Sequence, residues 1–233
     1  MGEFTVTDKG ICPVCGYNGG DRIPVAWNFY DLPYGAPKNW QYTVCHVCRC
    51  AFIEEMKDWR PRDFADKIYN SDYKKIDTGY DGSRVRKHLP FIVNAMNSLH
   101  CKKTVDFGGG NGLLADLLTE AGFEAYSFDF FARRDEPAIP NGSFDALTAI
   151  EVLEHEIEPH KLWSAIRDFL KPEGFFLCTT EFCDNKDIGN WFYANPRAGH
   201  DLIYSISAIR YCAVRFGFEY CGDINEWHLL RKH

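Results

Sequence analysis

The sequence predicts an α/β protein: an open sheet with helices on both of its faces, preceded by a small module stapled by a metal. Three observations carry this. In Thr104-Val105-Asp106-Phe107-Gly108-Gly109-Gly110-Asn111-Gly112-Leu113-Leu114-Ala115-Asp116-Leu117-Leu118, an apolar run ends on an acid and passes through four glycines in five positions. It then places Leu113, Leu114, Leu117 and Leu118 at helical spacing, the pattern of strand, tight turn and helix. Downstream, apolar strand-like runs alternate with helical periodicities. Near the start stand two Cys-x-x-Cys pairs. The organisation these imply is a zinc-ribbon-like module over 1–60, connecting helices over 61–100 and the main domain over 101–233.

A chain of 233 residues suffices for one α/β domain and an accessory module, with a core that needs no disulfides. The net charge of -7, without long Lys or Arg runs, disfavours nucleic acid as the main partner. The first ten residues lack the apolar core of a secretory signal, and Val6 stands where a myristoylation signal needs Ser or Thr. No apolar stretch approaches the ~18 residues of a bilayer span. A cytoplasmic location without membrane contact is expected, with the ten cysteines as thiols or metal ligands.

Cys12-Pro13-Val14-Cys15-Gly16 and Cys45-His46-Val47-Cys48-Arg49-Cys50 are separated by 29 residues. Each pair fits a tight turn that aims two thiolates at one point, and two turns complete the tetrahedral shell of a structural zinc. Cys12, Cys15, Cys45 and Cys48 are the expected ligands, with Cys50 and His46 as substitutes for one of them. A redox pair is the alternative, but the thioredoxin-like βαβ setting is missing. Between the pairs, residues 31–37 read as a loop, while Tyr42-Thr43-Val44 and Ala51-Phe52-Ile53 read as short strands around the second pair. Beyond them Pro61 opens a short helix, Tyr69, Tyr73 and Tyr80 follow in charged surroundings, and 83–99 reads as a helix with an awkward Pro90.

The glycine turn separates two cofactor classes. A dinucleotide fingerprint wants a glycine at the sixth position from Gly108, where Leu113 stands. Asp106-x-Gly108-x-Gly110-x-Gly112 instead resembles the first motif of class I S-adenosylmethionine (SAM) methyltransferases of the small-molecule or sugar type (Methyltransf_23-like). The resemblance implies a Rossmann-like sheet. It also implies cofactor contacts from Asp106, Phe107, Gly108, Gly110, Gly112 and Leu113, and a segment around Tyr73 or Tyr80 that closes the pocket. A surface aromatic packed on its own helix is the alternative for either tyrosine. Asp129, 17 residues past Gly112 at the end of a second strand, is where an acid accepts from ribose hydroxyls. Phe130 and Phe131 either flank the adenine or belong to the core. The family's third strand should follow, but 132–142 is short and contains two prolines, so that strand is expected to be very short or missing and an adenine contact from Asp135 stays open.

The acid-headed run Asp145-Ala146-Leu147-Thr148-Ala149-Ile150-Glu151-Val152-Leu153-Glu154-His155 resembles the family's fourth-strand motif, which implies Glu151 and Val152 near the cofactor and His155 facing the acceptor. His155 as a structural histidine is the alternative. Pro159 opens a helix with Leu162, Trp163, Ile166, Phe169 and Leu170 on one face, and the Leu-Lys-Pro-x-Gly turn at 170–174 leads into a fifth strand. Aromatics, Arg197 and His200 in the 190–205 connection suit an acceptor loop, with Tyr193 and Arg197 binding and His200 as base or helix cap. A helix over 206–216 capped by Ser205 or Ser207, then two closing strands through Tyr220 and Trp227, complete the chain.

The sulfonium of SAM already activates its methyl group, so the protein has to hold a nucleophile in line. A hydroxyl or carbon acid also needs a base, for which His155 and His200 are the candidates. The cysteine pairs also resemble amino-terminal zinc modules ahead of some bacterial methyltransferases of nucleotide-linked sugars, and of one ribosomal RNA group. A small-molecule acceptor, possibly sugar-like, is therefore the expectation. An RNA methyltransferase gripping RNA through the zinc module is the alternative, and a non-catalytic SAM-binding interaction protein is another.

Overall fold

The computed structural model of the chain describes residues 10–25, 40–71, 73–77, 79, 82–130 and 141–233. The loop at 31–37, Tyr80, Phe131 and Asp135 lie outside the described residues. The amino-terminal part gives β1 (Gly20–Pro24), β2 (Gln41–Cys45), β3 (Ala51–Phe52), α1 (Pro61–Lys67), α2 (Tyr73–Ile76) and α3 (Ser83–Ser98). There follow β4 (Lys103–Phe107), α4 (Leu113–Glu120), β5 (Glu124–Phe128), β6 (Phe144–Ile150), α5 (Pro159–Phe169) and β7 (Leu170–Thr179). The chain closes with β8 (Leu202–Ile203), α6 (Ile206–Arg215), β9 (Phe218–Ile224) and β10 (Trp227–Lys232).

The main sheet has the order β5-β4-β6-β7-β10-β9. Pairs β4–β5, β4–β6 and β6–β7 are parallel, and β10 is antiparallel to both β7 and β9. Among the described residues no strand flanks β5 on its outer side, in line with the short 132–142 interval. Alternation along the strands sends Leu147 and Phe176 to one face and Ala146 and Leu177 to the other. The first face is covered by α5 and α6 through Trp163, Ile166, Ile209 and Cys212, the second by α3 and α4 through Ile92, Met96, Leu114 and Leu118. Both faces are buried, as a parallel sheet requires.

Helix ends follow the local chemistry. Pro159 occupies the first turn of α5, and the Ser205 hydroxyl caps α6 by accepting from the Ala208 N–H at 2.9 Å. Pro90 does not break α3, because it and Arg86, whose carbonyl loses its intrahelical partner, both lie on the exposed side.

A second sheet, β1-β2-β3-β8, is antiparallel and joins distant parts of the chain: Ala51 pairs with Ile203 and Phe52 with Leu202. Beside it the cysteine pairs meet. Trp163, fully buried, donates from its indole N–H to the Tyr204 hydroxyl at 3.2 Å and ties α5 to this region. Trp163→Ala should therefore cost about 3–5 kcal/mol of stability, measurable by denaturant unfolding of the purified protein.

Candidate active site

The site forms where parallel strand ends meet. Asp106 of β4 lies beside Thr148 of β6, so the glycine turn and the 151–155 segment leave the sheet at one edge. Gly108, Gly110 and Gly112 take φ of 72°, 54° and 77°, in the left-handed region. A Cβ on Gly108 would stand 2.6 Å from Val152 Cγ2, and one on Gly109 would stand 2.4 Å from Ser127 Oγ and 2.5 Å from Asp106 Oδ2. On Gly110 it would meet nothing within 4 Å, the open side of the turn. Asp129 closes the far side by accepting from the Gly110 N–H at 2.9 Å.

Two cavities abut here. The smaller, about 450 Å³, is lined by the glycine turn, by Tyr69 and Tyr73, and by Phe107, Asp129, Phe130, Glu151 and Val152. The larger, about 1030 Å³, is lined by His88, Thr180, Phe182, Phe192, Tyr193, Asn195, His200 and His228 among others. Tyr73, Asp77, Arg84, Glu151 and His155 form their common wall. Three residues expected at the cofactor line neither cavity. Asp106 is buried behind Gly109, with Thr148 donating to its Oδ1 at 3.0 Å, Gly112 serves as N-cap of α4, and Leu113 packs toward Gly82. Burial raises the Asp106 carboxyl to about 7 against the opposing Thr148 bond.

One alternative falls and one expectation changes. Tyr73 is not a surface aromatic: it is buried edge-on against Tyr69 at 5.1 Å between ring centres. Arg197 lines neither cavity; it is buried and donates from Nη1 to the Lys67 carbonyl at the end of α1. Tyr193 does line the larger cavity, and Phe130 stands two-thirds exposed at the rim of the smaller one, which excludes it from the core. His200 does not cap α6, since Ser205 does.

His155 and His200 pack edge to face, 4.9 Å between ring centres. His200 Nδ1 is 2.6 Å from the Tyr193 carbonyl and His155 Nδ1 is 3.1 Å from the Gly199 carbonyl. A carbonyl can only accept, so His200 carries its proton on Nδ1 and leaves a lone pair on Nε2, whereas His155 Nδ1 also lies 3.2 Å from the Tyr69 hydroxyl, which either donates to it or accepts from it. Burial pushes both imidazoles below the ordinary histidine range, His200 furthest because His155 adds to it. Glu154, fully buried, accepts from Thr180 Oγ1 at 3.0 Å through Oε2, while its Oε1 makes no hydrogen bond and lies 3.8 Å from His155 Nε2. Glu154, His155 and His200 each present one atom within 4.8 Å of the others, a mixed N/O set that suits a divalent cation. Burial also raises Glu151 and Glu154 to about 7. The sequence reading passed over Glu154, Thr180 and Gly109; the Glu-x-x-Glu-His spacing at 151–155 was the available signal for the first.

In the cysteine module, the Sγ atoms of Cys12, Cys15, Cys45 and Cys48 lie within 4.8 Å of one another, with Cys12–Cys48 at 3.4 Å and Cys15–Cys45 at 3.6 Å. A tetrahedral zinc with ~2.3 Å bonds sets its sulfurs about 3.8 Å apart, so the four fit one ion. Cys50 flanks this set, 3.4 Å from Cys12 and 3.5 Å from Cys48, whereas His46 points out to Asp21 at 3.1 Å.

A mostly parallel sheet with a glycine turn after its first main strand, an acid after the next and two abutting cavities at its strand ends defines a class I SAM-dependent methyltransferase. The chain belongs to the methyltransferase-domain family Methyltransf_23, whose model matches residues 55–221. It is 28% identical over 137 residues to a ubiquinone biosynthesis O-methyltransferase of Idiomarina loihiensis, covering 49% of this chain and 55% of that protein. It is also 25% identical over 119 residues to the enzyme of that name from Actinobacillus pleuropneumoniae, covering 40% and 51%. The chain thus matches about half the length of these curated relatives. Among solved structures, the Burkholderia thailandensis 1,6-didemethyltoxoflavin-N1-methyltransferase, with its acceptor and S-adenosylhomocysteine bound, shares the fold at a TM-score of 0.54 and 12% identity. That likeness covers 85% of this chain and 97% of that one.

Two outcomes follow. Gly109→Ala should lower both the melting temperature and the affinity for S-adenosylhomocysteine, read by thermal shift and calorimetry. Glu154 holds its proton to higher pH folded than unfolded, so its contribution to stability is full below its unfolded value near 4.5 and is lost as pH rises through about 7. Ligand-free Glu154→Gln should accordingly lose less melting temperature than the parent between pH 5 and pH 8.

Proposed function

We propose that the protein transfers the methyl group of SAM to a hydroxyl of a small-molecule acceptor. The observation that carries this reading is the pair of imidazoles, His155 and His200, packed edge to face beside the wall shared by the two cavities, each lowered in pKa by burial and His200 held through its Nδ1–H on the Tyr193 carbonyl. In this reading the smaller cavity takes SAM. Gly108 and Gly110 let the backbone run beside its methionine part, Asp129 accepts from its ribose, and Glu151 and Val152 border the sulfonium side. The larger cavity takes the acceptor among Tyr193, Phe192 and His200.

His200 is the preferred base. Its Nδ1–H is fixed on the Tyr193 carbonyl, and its lowered pKa keeps Nε2 unprotonated throughout the neutral range. The ring takes the acceptor's proton as oxygen attacks the methyl carbon and the sulfonium leaves as a neutral thioether. His155, between both cavities, orients the acceptor oxygen. The ubiquinone-pathway relatives, named as O-methyltransferases, favour a hydroxyl acceptor, and a sugar-like metabolite is one form it takes. The acidic chain speaks against RNA. Zinc held by Cys12, Cys15, Cys45 and Cys48 completes the picture. Four thiolates close its shell, which makes the ion structural.

A second reading of the acceptor chemistry rests on the partnerless, buried Oε1 of Glu154. Glu154, His155 and His200 would hold a divalent cation, which when bound acidifies an acceptor hydroxyl. Turnover that disappears on chelation and returns with Mg²⁺ or Mn²⁺, while cysteine-bound zinc is retained, would favour this version.

The test is transfer from methyl-labelled SAM into the small-molecule, RNA and protein fractions of a host extract. Label should enter the small-molecule fraction; label in RNA alone would overturn the reading. With the acceptor identified, His200→Ala should lower kcat by roughly 10²–10⁴ and leave S-adenosylhomocysteine affinity within about threefold. Asp129→Ala should weaken that affinity by about tenfold or more, the loss of one charge-assisted pair. The acid limb of kcat against pH should lie below 6.5, because the His200 value is lowered.

A further inference from the structure

The cysteine module is sewn to the acceptor side of the site along a continuous buried seam. The second cysteine turn supplies two carbonyls to it. The Ser205 hydroxyl donates to the Cys48 carbonyl, and the Cys183 thiol donates to the Arg49 carbonyl at 3.2 Å. Directly after that turn, Ala51 and Phe52 pair with Ile203 and Leu202, and the Ile53 N–H donates to the Asp201 carbonyl at 3.0 Å. From β2, the Tyr42 hydroxyl donates to the carbonyl of His200 itself at 2.5 Å. Tyr42, Asp201, Leu202, Ile203 and Ser205 are all fully buried, so water cannot replace these bonds where they stand.

On its other side the same segment reaches the reacting groups. The Asp201 N–H donates to the Glu154 carbonyl at 2.9 Å, and the His200 ring is pinned to Tyr193. His200 therefore hangs between a metal module that holds its backbone and a cavity wall that holds its ring. The smaller cavity is built differently. Its floor comes from the ends of β4, β5 and β6, none of which pairs with the β1-β2-β3-β8 sheet, while Tyr69 and Tyr73 on its other side pack in one cluster with Tyr42, Ile53 and Ile203.

Strands of two residues, as β3 and β8 are, do not hold themselves together. The seam needs the second cysteine turn fixed in space, and four thiolates around one ion do this. We propose that metal binding at Cys12, Cys15, Cys45 and Cys48 positions His200 and the 200–205 segment, with Tyr42 and Ser205 as the positioning residues, and leaves the SAM half of the site formed in its absence. This rests on the reading above in which His200 faces the acceptor. The metal-free protein would then be loaded with cofactor and unable to engage its acceptor, which couples methylation to metal supply.

The experiment uses the full chain, zinc-loaded or stripped with EDTA, its zinc content counted, and reads amide hydrogen exchange and S-adenosylhomocysteine affinity. Exchange should rise more than about tenfold across 200–205 on stripping, while 106–110 and 150–152 stay protected and the affinity shifts less than about threefold. Unchanged exchange at 200–205, or affinity lost in parallel with it, would overturn the proposal; so would exchange rising throughout the chain. Tyr42→Phe and Ser205→Ala keep all cysteines and test the seam with the metal in place. Both should retain one zinc and cofactor affinity while the His200 Nδ1–H resonance, assigned through His200→Gln, shifts or broadens. An unmoved resonance in both would overturn the positioning role. None of these readouts requires methyl transfer, so failure to find an acceptor would count against the functional reading and leave the seam's result intact.

Discussion

Two missing side chains govern this site. Between Val152 on one side and Ser127 with Asp106 on the other there is room for a backbone and nothing more, and Gly108-Gly109 occupies that space. Because the turn passes so close beneath the strand ends, Gly110 can present an N–H to Asp129 and an open face to the cavity. The carboxyl of Asp106 becomes a buried support for the turn. A side chain at either glycine would push the turn outward and separate the ends of β4 and β6, and with them both cavities.

Around that turn the protein keeps an unusual density of buried ionisable groups. Asp106, Glu151 and Glu154 are each raised by burial, and His155 and His200 are each lowered by it. Both movements favour neutral forms, which limits the cost of enclosing five titratable side chains. Charge enters such a place economically only with a partner. A sulfonium, a developing imidazolium or a metal ion each supplies one; Glu154 Oε1 and both carboxyl oxygens of Asp201 are buried without a hydrogen bond.

Much of this could be read in the sequence because local pattern sets it. The strand, glycine turn and helix at 104–118, the acid at 129, the Pro159 and Ser205 helix starts and the two cysteine turns all follow from residue type and spacing. What escaped depends on contacts between distant segments. Arg197 has the composition of an anion-binding loop residue, but its direction is set by the end of α1, which no local pattern encodes. Tyr73 is buried because Tyr69 and the cavity wall meet it. Leu113 follows a glycine motif yet faces Gly82. The pairing of β3 with β8, across about 150 residues of chain, left no trace in either two-residue strand.

Glu151 sits at φ 53°, in the left-handed region, with its N–H held by Thr179. For a residue with a side chain that conformation costs on the order of 1–2 kcal/mol. Glycine would take it without strain and would also remove a half-buried carboxyl. A library screened for thermostability alone would therefore enrich glycine at 151 and discard a carboxylate on the wall between the cavities. At this position the backbone favours glycine, and the side chain that stands there lines both cavities.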